Sequence, residues 1–129
     1  MKTIKTVLIA QKVNSEGVLN LANALKKVDG KLIHISTDYV FDGTNHKPYV
    51  ETDTPNPQSV YGKTKLDGEL AMQQINPANS IIIRTSWVYS KFGNNFVKTM
   101  LRLAETRDEI SVVADQIGTP TNAADLAKA

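Results

Sequence analysis

The chain has 129 residues, 41% of them hydrophobic and 22% charged, with a formal net charge of +2 and no cysteine. This is the size and balance of one globular domain with its own core, expected to span residues 1–129. The small, scattered charge gives no case for nucleic acid or a membrane surface, and the lack of cysteine excludes disulfides and thiolate-held metal.

From Met1 to Ala10 lysines precede a short apolar run. It is too short for a secretory segment, no small-residue cleavage site follows it, and no stretch is long enough to span a bilayer. A cytoplasmic location is expected. Thr6–Ala10 predicts a short buried strand. Val18, Leu21, Ala22, Leu25 and Val28 recur at helical spacing, which predicts an amphipathic helix over 15–28. Asn14 or Ser15 would cap its start and Gly30 would end it.

Lys31–Thr37 is β-branched and apolar and predicts a strand. A long polar connection follows from Asp42 to Gln58, carrying Gly43, Pro48, Pro55 and Pro57; loops of that length inside a domain are often functional. A helix is expected from about Tyr61 to Gln74, with Leu66 and Leu70 on one face. Asn76–Asn79 is a turn. Ser80–Thr85 is a β-branched run, as expected of a strand covered on both faces. Phe96, Val97, Met100, Leu101 and Ala104 predict another amphipathic helix, Glu109–Ala114 a last strand, 115–122 a loop, and 123–127 the first turns of a helix.

Alternating strands and helices argue an α/β domain with a parallel sheet. In such sheets ligands sit beyond the carboxyl ends of the strands. Those ends carry Ser36-Thr37-Asp38-Tyr39, Thr85-Ser86-Trp87-Val88-Tyr89 and Asp115-Gln116, polar and aromatic residues that a core would not choose.

Tyr61 and Lys65 stand four apart on the helix predicted from about Tyr61 to Gln74, on one helix face. Chance supplies such a pair readily, and a solvated helix face is the commoner origin. A free phenol has a pKa of about 10. A neighbouring ammonium favours phenolate and brings the group toward useful proton transfer. A strand-end hydroxyl such as Thr37 can hold the same substrate oxygen, although bonding to local backbone is an equal alternative. Together the three suit proton transfer to a carbonyl under reduction, or from an alcohol under oxidation.

Ser36-Thr37-Asp38-Tyr39-Val40-Phe41-Asp42-Gly43, then Pro57-Gln58-Ser59-Val60-Tyr61-Gly62-Lys63-Thr64-Lys65, then Arg84-Thr85-Ser86-Trp87-Val88-Tyr89 is similar to the extended short-chain dehydrogenase/reductases. Asp115-Gln116-Ile117-Gly118-Thr119-Pro120-Thr121 fits the same family, so the resemblance runs from about Lys12 to Leu126. It implies a Rossmann-type sheet and reduction of the 4-keto group of a dTDP-linked 4-keto-deoxysugar by NADP(H) or NAD(H). By the same resemblance Tyr61 donates the proton, Lys65 lowers its pKa and bonds the nicotinamide ribose, and Thr37 binds the reacting oxygen. Ser36 lies beside the nicotinamide, Asp38 next to the active site, and Trp87 lines the sugar pocket. Asn95 is either a helix cap or a contact near the substrate nucleotide. Taken alone, Trp87 is more often a partly buried packing residue.

The chain departs from this family at its start. Those reductases open with a strand and a glycine-rich turn that cradles the cofactor pyrophosphate. The seven glycines here, Gly17, Gly30, Gly43, Gly62, Gly68, Gly93 and Gly118, make no G-x-G-x-x-G. Met1–Ala10 resembles a family N-terminal strand but runs straight into Gln11-Lys12-Val13-Asn14, which matches a helix from mid-fold. The expectation is a partial Rossmann-type domain, the central catalytic piece of a reductase, weakly active or inactive alone. The alternative is a non-catalytic binding or regulatory subunit on the same fold. Uncovered apolar faces and a sheet edge would favour a homo-oligomer.

Asp38, Asp42, Glu51 and Asp53 surround one loop, but their spacing fits no metal loop, and a solvated acidic loop is expected. His34 is read as a hydrogen-bonded strand residue. His46 has no ligand partner at suitable spacing, and no metal is expected.

Overall fold

A computed structural model describes the backbone of residues 2–129, with side chains from Ile4 onward. The elements are α1 (Lys2–Gln11), a π-helical turn (Lys12–Glu16), α2 (Gly17–Lys26), β1 (Leu32–Thr37), α3 (Val60–Ile75), β2 (Ser80–Thr85), β3 (Val88–Tyr89), α4 (Phe96–Ala104), β4 (Thr121–Asn122) and α5 (Ala123–Lys128). This is an α/β fold with short parallel sheets flanked by helices: β1 pairs with β2, and β3 with β4. The chain forms two compact units, residues 1–84 and 85–129.

In the first unit Val18, Ala22 and Met72 make the buried core, with Leu32, Ile75 and Ile82 packed against it. The helical spacing of Val18 and Ala22 places them on the face of α2 that meets α3. Asp29, in the left-handed region (φ 52°), turns the chain out of α2, and Gly30 N–H donates to the Leu25 carbonyl. Side chains then tie the two helix-to-strand turns together: Asn79 donates to Asp29 and Asn76 to the Gly30 carbonyl.

Several expectations need correction. Thr6–Ala10 is helix, within α1, and Met1 lies outside the described residues. Ile4, Val7 and Leu8 also fit helical spacing, and a helix closes its own backbone hydrogen bonds where a strand needs a partner. Asn14 and Ser15 cap nothing, since helix runs through them as the π turn. Instead the Asn14 amide reaches across to the Thr64 hydroxyl (3.0 Å). The buried stripe of α3 is Gly62, Thr64, Lys65, Gly68, Glu69 and Met72, while Leu70 is exposed. β2 is not covered on both faces, because Ile81 is exposed, as are Ile33 and Ile35 on β1.

Two glycines set how closely α3 approaches its neighbours. A Cβ on Gly62 would collide with the Tyr39 carbonyl oxygen, and one on Gly68 with the Asn14 carbonyl oxygen. Gly62 thereby seats the start of α3 directly against the turn that follows β1.

In the second unit β3 and β4 pair with Val88 opposite Thr121 and Tyr89 opposite Asn122. The side chains of Asn95 and Asn122 cap α4 and α5. Glu109–Ala114 is irregular rather than a strand: among the described residues it joins no ladder, and Val112 and Val113 stay exposed. A β-branched run without a partner strand leaves its backbone to water.

Candidate functional site

The sequence places a polar turn directly after β1, and the structure bends it there. Thr37 caps a 3₁₀ turn (Asp38–Val40): its Oγ1 accepts from Tyr39 N–H (3.2 Å) and donates to Asp38 Oδ1 (3.1 Å). The local-backbone role foreseen for Thr37 is therefore present, in a side chain that is buried. Ser36 is buried as well, and its hydroxyl has no hydrogen-bond partner among the described residues. Buried hydroxyls are rarely left so.

α3 begins opposite this turn. Ser59 caps it by accepting from Gly62 N–H (3.0 Å). The cap and the Gly62 contact bring the Tyr61 ring edge-to-face with Tyr39, centroids 5.9 Å apart at 74°. Tyr61 stays about half exposed (48%), so its phenol can meet a ligand.

One turn further on, Lys65 is buried. Its ammonium donates to the Ile35 carbonyl (2.7 Å) and lies 3.1 Å from His34 Nε2. Among the described residues it makes no hydrogen bond to the Tyr61 hydroxyl. Burial pushes the Lys65 pKa below the usual lysine value, and Glu69 opposes that shift. Burial likewise lowers the His34 pKa, with the Lys65 charge adding to the effect and Glu69 opposing it.

Glu69, a further turn along and fully buried, is held by Arg84 of β2, whose Nη2 lies 2.7 Å from Oε2. Arg84 also covers the Phe41 ring (5.0 Å), which stacks on Tyr49 (4.2 Å). A cleft of about 720 Å³ lies beside these groups, walled by Phe41, Tyr49, Ile82 and Arg84; neither Tyr61 nor Lys65 lines it.

The first unit thus brings together Ser36, Thr37, Asp38, Tyr61 and Lys65 at the carboxyl end of β1. Trp87 and Asn95 belong to the second unit. Trp87 has a left-handed backbone (φ 47°), a conformation uncommon for a bulky residue. Its ring packs on Gly118, and its carbonyl accepts from Thr121 N–H (3.2 Å). Asn95 caps α4, accepting from Lys98 N–H (3.1 Å), and donates to the Ser90 carbonyl (2.7 Å).

Sequence reasoning named Tyr39 only as one of the residues at the end of β1 and passed over the Glu69–Arg84 pair. It read His34 as a hydrogen-bonded strand residue, which it is, without naming Lys65 as the partner. The available signals were the i, i+4 spacing of Lys65 and Glu69 and the period-two placement of His34 with Leu32 and Ser36.

A family model described as the RmlD substrate binding domain matches residues 5–129. The dTDP-4-dehydrorhamnose reductase of Sinorhizobium fredii is 56% identical over 117 residues, 91% of this chain and 39% of that protein. The reductase of the same name from Escherichia coli K12 is 52% identical over 118 residues, 92% of this chain and 39% of that one. Among solved structures, a dTDP-4-dehydrorhamnose reductase from Clostridium acetobutylicum superposes with a TM-score of 0.92 at 51% identity, covering 96% of this chain and 44% of that one. One from Bacillus anthracis, in complex with NADP, gives a TM-score of 0.90 at 49% identity, covering 95% and 43%. The chain spans about two fifths of the length of the curated relatives it matches. A match across nearly all of its residues settles the lineage: the chain belongs to the RmlD substrate-binding domain family.

Proposed function

We propose that this chain carries the proton-transfer elements of an NAD(P)H-dependent reductase acting on a dTDP-linked 4-keto-deoxysugar in the cytoplasm. The observation that supports this most directly is the seating of Thr37, Tyr61 and Lys65 at one strand end in a member of this family. The half-exposed Tyr61 phenol gives its proton to the 4-keto oxygen, and Thr37 steadies that oxygen. Lys65 supplies the positive charge that favours phenolate once the proton has left. Ser36 and Asp38 flank the reacting group, while Trp87 and Asn95 serve the sugar and nucleotide.

The chemistry such a cofactor supplies is a hydride to the sugar carbon. The residues present fit its nicotinamide-ribose end, where the Tyr61 hydroxyl and the Lys65 ammonium offer hydrogen bonds. They do not fit its pyrophosphate, because no glycine-rich turn occurs among the seven glycines. We therefore expect the 129-residue chain to oxidise NADPH slowly or not at all with a dTDP-4-keto-deoxysugar. That same absence is what favours the second reading, a non-catalytic binding subunit.

A chimera separates the two. In it, residues 12–126 of this chain replace the matched segment of the Clostridium acetobutylicum reductase. Turnover of NADPH with the keto-sugar is the expected result. A folded chimera that binds NADPH but shows no turnover would favour the non-catalytic subunit.

A further inference from the structure

β1 alternates its side chains, so Leu32, His34 and Ser36 share one face; Leu32 packs against the α2–α3 core on that side. His34 therefore meets α3 where Lys65 is buried. An ammonium has three N–H donors and no acceptor. Here one goes to the Ile35 carbonyl at 2.7 Å and a second points to His34 Nε2 at 3.1 Å. The third is left without a partner among the described residues.

We propose that His34 is a positioning residue for Lys65: its unprotonated Nε2, with the Ile35 carbonyl, anchors two ammonium protons against β1 and leaves the third for the Tyr61 side. Only the tautomer protonated on Nδ1 can accept in this way. The charged groups facing the pair are Glu69 of α3, one turn beyond Lys65, and Arg84 of β2, which is bound to Glu69. Burial and the Lys65 charge both keep His34 neutral. Protonation of His34 would set two cations 3.1 Å apart and remove the anchor. The seat exists only above the His34 pKa, which lies below the usual 6.5. That the seating serves proton transfer by Tyr61 rests on the function proposed above; the seating itself does not.

The test is nuclear magnetic resonance on the full 129-residue chain, which needs neither cofactor nor turnover. Long-range ¹H–¹⁵N spectra should show His34 protonated on Nδ1 and titrating below the ordinary histidine range. The Lys65 ¹³Cε titration should move down in His34→Leu, which removes the acceptor, and return toward wild type in His34→Gln, whose amide oxygen restores one. Should His34→Leu fail to fold, Lys65→Met is read at His34, where the titration should rise and the tautomer preference fall away. An Nε2-protonated His34, or a Lys65 titration indifferent to both His34 variants, would overturn the proposal. So would a His34 signal unchanged in Lys65→Met. Loss of the reductase reading would leave all these signals where they are.

Discussion

Arg84 on β2 grips Glu69 on α3 side-on, with Nη2 2.7 Å from Oε2 and Nε 3.2 Å from both carboxylate oxygens. Glu69 is essentially inaccessible, while the Arg84 side chain retains 23% exposure. Removing one partner leaves the other charge buried alone, and that costs more than the pair itself contributes. Arg84→Met should therefore destabilise the chain by about 3 kcal/mol in urea unfolding. Adding Glu69→Gln should recover part of the loss, because a neutral amide is cheaper to bury. A double variant no better than Arg84→Met would show that the lost stacking on Phe41 dominates.

Gly62 and Gly68 test the approach of α3. Helix propensity alone says that Gly→Ala gains up to about 1 kcal/mol at each. Both sites face a backbone carbonyl too close to admit a methyl group, and backbone cannot swing aside as a flexible side chain can. Overpacking should win, with a net loss of about 1–3 kcal/mol for either variant. Gly62→Ala should additionally disturb the Tyr39–Tyr61 contact, visible as a change in near-ultraviolet circular dichroism. A gain in stability at either position would contradict the close approach.

Much of this framework could be read from residue patterns. β1, α3, β2 and α4 came from β-branched runs and i, i+3, i+4 spacing. The four-residue spacing of the tyrosine and lysine was by itself ambiguous, and their candidate roles rested on the resemblance carried by the motifs around them. What could not be read depended on distant partners. Thr6–Ala10 carries a pattern compatible with both periods, and helix prevails in the structure. Glu109–Ala114 has strand composition yet no ladder among the described residues. The buried face of α3 was misjudged because it holds Lys65 and Glu69, charges that only β1 and β2 make tolerable there. His34 became informative only once its distance to Lys65 was known.

The loop over 42–58 is organised by one carboxylate. Asp42 Oδ1 accepts from Thr44 N–H, the Thr44 hydroxyl and the Tyr49 hydroxyl, and Oδ2 accepts from the Asn56 amide. Hydrogen bonds from Thr44 backbone, then Thr44 and Asn56 side chains, lower its pKa from 3.8 to about 2. A depressed carboxylate stabilises the fold fully above its unfolded value. That contribution is lost as pH falls from about 4 toward 2. Loop order, followed through the amide signals of Thr44 and Asn56, should fade in that window. In Asp42→Asn the same signals should already be perturbed at neutral pH and show no such step. An unchanged step in the variant would assign it to another group.

Tyr61 as the proton donor is the central claim, and one substitution tests it most directly. In the chimera described above, Tyr61→Phe keeps the ring and its contact with Tyr39 but removes the hydroxyl. Steady-state NADPH oxidation with the dTDP-4-keto-deoxysugar should lose about 10²–10⁴-fold in kcat, while the unfolding midpoint changes little. A Tyr61→Phe chimera turning over within a few-fold of the parent would contradict the account.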